Sequence, residues 1–338
     1  MDFYVYDDNL NVVGIIDNYT SVIWTLRYND VGDFEIYIRS TPDVLELCRI
    51  NRYIVRESDG TVMIIKSITQ AESAENGDYI TITGVSVESV LSQRVVWAYT
   101  ELMGRVEECI YSLVNTNCIN PLQQDRIIPK LTTAPLKHFT PEISQTKYSG
   151  MNVLEAVKQL CEVGHYGFRI ITKNKKLVFE VYAGVDHSRN QTENLYIVFD
   201  GENITESTYT NDYNQYKNVA RVGGTGEGLY QIFASYGDAS GLSRFETYAE
   251  DTSISNTELL QSTGRNVLQE TTPIKTFDGE LSNYYTYDVD YSLGDIVQIE
   301  NKNGISATAR ITEITQSIDD SGIYTIPTFT EWEVVQND

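Results

Sequence analysis

The first 95 residues are a succession of short runs rich in β-branched and aromatic residues, each closed by a turn signal, which leaves room for little but β-structure. The runs are FYVYD, NVVGIID, SVIWTLRY, DFEIYIR, YIVRES, TVMIIKSIT and YITITGVSV. Such side chains suit a pleated, half-buried surface. Asp7-Asp8-Asn9, Asp59-Gly60 and Asn76-Gly77 are the residue types that tight hairpins require. One short helix, PDVLELC, interrupts: Pro42 suits a first helical turn, and Val44, Leu45 and Cys48 are spaced to share a face. A β-barrel or sandwich with one helix is expected over residues 1–95.

Residues 96–190 change period. Val106, Ile110, Leu113 and Val114 in GRVEECIYSLVNTNC fall on one helical face, as do Val153, Leu154, Val157, Leu160 and Cys161 in MNVLEAVKQLCEVG, where Gly164 is expected to stop the helix. A proline-marked stretch from Pro121 to Pro141 separates the two helices, and GFRIITKNKKLVFEVYAG reads as a hairpin turning at Lys173-Asn174-Lys175. This segment is expected to be an α/β insert. Residues 191–338 return to strands: LYIVFDG, YNQYKNVARVGG, GLYQIFASYG, then a helix in TELLQSTGRNVLQE, then TYDVDY, DIVQIEN, ISATARITEITQSI and IYTIPTFTE. Strands, one helix and more strands repeat the order of the first segment, so a duplicated β-barrel domain is plausible without visible identity between the halves. The expected fold class is mainly β with an α+β insert.

The stretch VGGTGEG, from Val222 to Gly228, resembles a phosphate cradle, but a cradle needs a helix N-terminus after the glycines. Here LYQIFASYG follows, no Lys-Ser or Lys-Thr pair is present, and Glu227 places a negative charge where phosphate oxygens would lie. A glycine-rich hairpin loop is the better reading. Cys161 and His165 stand four apart, the spacing of a metal pair or an activated thiol, but no second Cys or His pair lies near, and core packing is the expected role. GVSVE, from Gly84 to Glu88, lacks the second glycine of a nucleophile elbow, leaving Ser86 an ordinary strand serine. Asp288, Asp290 and Ser292 start like a calcium loop, yet Gly294 falls too late and no closing glutamate follows. Pairs such as Glu107-Glu108 and Asp319-Asp320 are inevitable with 48 acids. No catalytic residue, cofactor site or metal site is expected.

With 41% hydrophobic residues among 338, two or three domains with true cores can form. The net charge of −23 disfavours specific nucleic-acid binding, which draws its affinity from Lys and Arg. The opening MDFYVYDDN has neither a basic nor an apolar leader segment, and no uncharged apolar run approaches the roughly 18 residues of a membrane span. Cys48, Cys109, Cys118 and Cys161 are scattered and fit reduced thiols. The Asn-X-Thr triplets at Asn18, Asn190 and Asn203 carry no weight without a secretory route.

The segment YDDNLNVVGIIDNYTSVIWTLRYNDVGDFEIYI, through Gly14, Ile16, Ser21, Ile23, Trp24, Arg27, Tyr28, Gly32, Asp33, Phe34 and Glu35, resembles the start of siphophage tail-hub (baseplate hub) proteins, a family that includes the N-terminal module of tail-associated lysins. The resemblance continues through GRVEECIYSLV, NVLEAVKQLCEVGHYGFRI and NVARVGGTGEG, with Gly223, Gly224, Gly226 and Gly228 as a strand-loop-strand hairpin. It is most specific in LGDIV (Leu293, Gly294, Asp295), ARITEI (with Arg310) and the closing PTF (Pro327, Phe329). It implies a non-enzymatic structural hub: a homotrimer with two tail-tube-like β-barrel domains per subunit and an intervening decorating domain. Two β units times three would match a threefold tip to a sixfold tube. The implied partners are a distal tail or tail-tube protein, a tape-measure protein and tail fibres or spikes, with genomic DNA passing through the lumen without specific binding. The implied location is the virion tail, after synthesis in the host bacterial cytoplasm. The chain ends soon after PTFTEWEVV, so no lytic extension is expected. The alternative is a host-recognition or carbohydrate-binding tail module, for which 24 tyrosines and 3 tryptophans could supply platforms, although strand packing accounts for most aromatics.

Overall fold

A computed structural model describes residues 2–72, 77–189, 196–200, 202–269, 271–281, 284–300 and 306–333. Asn76, Asn190 and the NKNGI stretch of the resemblance lie outside the described residues. The described residues are mainly β, with 45% strand and 20% helix. The chain forms two compact units, Met1–Ser207 with Asp278–Asp338, and Thr208–Phe277; the expected boundaries near 95 and 190 both fall inside the first.

The first unit begins with β1 (Phe3–Tyr6), β2 (Val12–Ile16), β3 (Ser21–Arg27), β4 (Asp33–Arg39), α1 (Pro42–Leu47), β5 (Tyr53–Arg56), β6 (Val62–Ala71) and β7 (Tyr79–Ser86). It continues with β8 (Thr100–Arg105), α2 (Val106–Val114), β9 (Leu131–Thr133), β10 (Glu142–Tyr148), α3 (Val153–Gly164), β11 (Gly167–Lys173), β12 (Lys176–Tyr182) and β13 (Val198–Phe199). β14 (Ile204–Asp212) leads the chain out of this unit and β18 (Ile274–Leu281) leads it back, to β19 (Ile296–Glu300), β20 (Ser306–Asp319) and β21 (Gly322–Glu333). The second unit holds β15 (Val219–Gly223), β16 (Phe233–Tyr236), β17 (Glu246–Glu250) and α4 (Thr257–Gln269).

Alternation dictates the N-terminal strands. In β4 Phe34, Ile36 and Ile38 point inward, and in β7 burial alternates along all eight residues. Trp24 of β3 faces Phe34 of β4, ring centroids 5.8 Å apart, and Phe3 stacks on the indole at 5.1 Å. Strand β6 differs because VMII is buried on both faces: Met63 and Ile65 join the core around Trp24, while Val62 and Ile64 join the core of α2, α3, β11 and β12. A continuous apolar run is what a strand covered on both sides requires. This shared strand is why the expected first domain and the expected insert make one unit.

Neither expected barrel closes among the described residues. One 13-stranded sheet runs in the open order β14-β18-β21-β20-β3-β4-β7-β6-β5-β1-β2, with β19 on β20 and β13 on β19, so strands from the two ends of the chain meet where β20 pairs with β3. Local expectations are corrected in four places. On α1 it is Leu47, packed against Gly14, that turns inward with Val44 and Cys48, while Leu45 is exposed. The left-handed residue that ends α3 is His165 at φ 58°, not Gly164. Strand β16 starts only at Phe233, after a 3-10 turn at Gly228–Tyr230. TYDVDY is a turn in which Asp288 has φ 62° and Asp290 Oδ2 accepts from Thr286 N at 2.7 Å. Strands β8, β9, β10, β14, β17 and β18 were not expected.

In the second unit β15 lies between β16, antiparallel, and β17, parallel. Val222, Ala234 and Leu260 of α4 form its small core. The VGGTGEG loop joins β15 to β16 in the expected hairpin, with Gly223 opposite Phe233 and Gly224 N donating to Ile232 O at 2.8 Å.

Candidate functional site

The motif residues from the two ends of the chain converge on Tyr28, which follows β3 and is 3% exposed. Its backbone is tied on both sides: Tyr28 N donates to Thr312 O (2.9 Å), and Phe168 N donates to Tyr28 O (3.1 Å). Its hydroxyl points at the carbonyls of His165 (3.0 Å) and Tyr182 (3.3 Å). Arg310 of β20 donates through Nη1 to Gly294 O (2.6 Å) and to the Tyr28 hydroxyl (3.3 Å), with its guanidinium 5.0 Å from the ring centroid. Gly294, at φ +97°, lies so close that a Cβ there would be 2.2 Å from the ring.

Asp295 completes the junction. Oδ1 accepts from Val185 N and Oδ2 from Ser292 N, both at 2.7 Å, and His187 Nε2 lies 3.5 Å from Oδ2. Burial raises the Asp295 pKa, against these donors and the charges of His187 and Arg310; burial likewise lowers that of Arg310, against Tyr28 and Asp295. A buried charge is tolerable only where it is paired and hydrogen-bonded, so the junction holds as a set. Beside it Arg27 bonds Asp33 and Glu313, each at 2.6 Å, which links β4 to β20.

The remaining motif residues are dispersed. Gly32 N donates to Ser86 Oγ at 2.9 Å, which commits that serine. Glu35 is exposed on β4. Phe329, 1% exposed, packs on Phe199 with centroids 5.2 Å apart, and Pro327 faces Ile314 across β20 and β21. Leu293 is half-buried. Trp24 and Phe34 lie in the core described above. Gly223 and Gly224 lie at the end of β15, and Gly226 and Gly228 have φ of +105° and +56°.

A cavity of about 690 Å³ opens next to the junction, lined among others by Asp59, Glu88, Arg169, Tyr182, Tyr287 and Asp288. Two of its acids are partnered: Asp59 is bonded by Arg56, which is 1% exposed, also bonds Gln316 and lies 5.4 Å from the Trp24 ring centroid, and Glu88 accepts from Ile170 N at 2.5 Å. Burial is the main cause of the raised pKa values of Glu88 and Asp288. Cys161 is fully buried, which raises its thiol, and His165 lies beyond the helix end with a pKa lowered by burial and by Arg310. Among the described residues no group of three or more His, Cys, Asp or Glu could hold a metal ion, and no helix is long and apolar enough to cross a membrane. Sequence reasoning gave Arg56 and Glu88 no role, read Asp59 only as a turn residue and passed over Glu107 as one acid among many; Glu107 is 1% exposed and accepts from Lys137 N and Phe139 N. The signal for Glu107 was its helical spacing, three before Ile110 and seven before Val114 on the buried face of α2.

The profile of the siphovirus ReqiPepy6 Gp37-like protein family matches residues 2–329. The chain belongs to that family. The family is a siphoviral one, in line with the siphophage resemblance of the sequence. Solved structures with a similar fold include the 43 kDa tail protein of prophage MuSo2 from Shewanella oneidensis (TM-score 0.63, 10% identity, 98% of each chain covered). A tail protein from Neisseria meningitidis MC58 gives 0.59 at 13% identity, covering 98% of this chain and 96% of that one. Prophage tail protein gp18 from Listeria monocytogenes EGD-e gives 0.53 at 16%, covering 99% and 96%. No curated protein sequence matches the chain.

Proposed function

We propose that the chain is the non-enzymatic hub at the distal end of a phage or phage-like tail, three copies closing a ring that adapts a sixfold tube to a threefold tip. The observation that carries this reading is the family match over residues 2–329. The fold supports it: each copy brings one set of strands from each end of the chain into a single sheet, joined through β3 and β20. Two tube-like halves per copy, taken three times, supply six. The Tyr28 junction serves as the clasp between those halves. A tail-tube or distal tail protein, a tape-measure protein and fibres or spikes are the partners of such a ring. Its acidic charge of −23 suits a lumen that repels passing DNA over a Debye length of about 8 Å.

Immunogold labelling of intact particles tests the placement. Label at the distal end of the tail is the expected result; label along the tube or on the capsid overturns it.

A further inference from the structure

We infer that the cleft beside Trp97 binds a pyranose sugar of a surface glycan. The cleft holds about 350 Å³ and is lined by Gln93, Arg94, Val95, Trp97, Gln123, Asp125 and Arg126, within the size range of small-ligand sites. Trp97 is 61% exposed. The Arg126 guanidinium lies over the indole, 4.8 Å from its centroid. Arg126 is itself fixed, donating through Nη2 to Val95 O at 2.7 Å. Arg94 donates to Arg126 O (2.6 Å) and to Gln93 O (3.0 Å). The Trp97 amide donates to Asn117 Oδ1 at 3.1 Å. The platform is thus held in place before any ligand arrives, which removes part of the ordering cost of binding.

Around this platform the side chains of Gln93, Gln123 and Asp125 are exposed and have no hydrogen-bond partner among the described residues. A pyranose presents an apolar C–H face and a rim of hydroxyls that both donate and accept. An indole face matches the first; two amides and a carboxylate match the second. A phosphate would meet the Asp125 carboxylate within the same cleft, an opposition that a neutral sugar does not face. A protein partner would be expected to meet a broader apolar floor than Val95 and Trp97 provide.

The site is independent of the hub reading and is tested apart from it. Full-length chain is titrated with chitotriose, maltotriose and lactose, followed by ligand-observed NMR and tryptophan fluorescence. At least one sugar should give a saturable response in roughly the millimolar range. The response should disappear in Trp97→Ala, persist in part in Trp97→Phe and weaken about tenfold in Gln123→Ala, with far-UV circular dichroism unchanged in all three. No response to any of the three sugars, or an equal response in Trp97→Ala, overturns the proposal. A chain that ignores all three sugars while Trp97→Ala particles fail to assemble also overturns it, and assigns the cleft to a protein contact.

Discussion

Replacing Gly294 with alanine adds one carbon at the tightest point of the Tyr28 junction. The backbone there has φ +97°, and the new Cβ would lie 2.2 and 2.6 Å from two carbons of the Tyr28 ring. Holding a residue with a Cβ in so sparsely populated a region costs roughly 1–3 kcal/mol. Displacing a packed side chain costs roughly another 1–3 kcal/mol. The ring cannot retreat cheaply, because its hydroxyl is held at the His165 and Tyr182 carbonyls and Arg310 lies over its face. Gly294→Ala should therefore destabilise the first unit by roughly 2–6 kcal/mol, a large share of the 5–15 kcal/mol typical of a domain. The assay is urea unfolding followed by circular dichroism, run as a double-mutant cycle with Tyr28→Ala. Emptying the ring's space removes the packing cost but not the backbone cost, so the two substitutions should couple by roughly 1–3 kcal/mol. A loss under about 0.5 kcal/mol for Gly294→Ala alone, or additivity in the cycle, would refute the packing account of the LGD motif.

Three further outcomes follow from the same geometry. Trp24→Ala, which removes a side chain with 0% exposure from between Phe3 and Phe34, should cost roughly 3–5 kcal/mol in denaturant unfolding; an unchanged midpoint contradicts the core assignment. Glu88, whose pKa burial raises above the ordinary 4.5, keeps its proton to higher pH folded than unfolded, so stability should fall as pH rises from 4.5 through the raised value. Glu88→Gln should flatten that decline and raise stability near neutral pH, and an unaltered pH–stability curve would count against it. ATP, NAD and EDTA should each leave the melting temperature unchanged, since any ligand of the native state raises it and removal of a bound metal lowers it; a shift of several degrees reveals a site.

Runs of β-branched and aromatic residues made β4 and β7 legible, and the structure adds the alternating burial that sets Trp24 beside Phe34. Strands β14, β17 and β18 have the sequences ITESTYTND, ETYAE and IKTFDGEL, too polar to show an apolar face, and were illegible for that reason. TYDVDY alternates and still is no strand: the Asp290 carboxylate bonds a nearby backbone amide and stabilises a turn instead. At the end of α3 the glycine signal was displaced by one residue. Gly164 is needed for its size, since a Cβ would lie 2.4 Å from the Tyr166 ring, and His165 takes the left-handed conformation. The junction was legible only as separate motifs. Tyr28 and Arg310 lie 282 positions apart, and no local pattern announces that they touch.

The central claim is a threefold ring at the tail tip, and a cryo-electron-microscopy reconstruction of the intact tip tests it most directly. Three copies of the chain around the tail axis, each presenting two strand-built halves to a sixfold tube ring, are the predicted result. Six copies around the axis, or a single copy off it, would contradict the account.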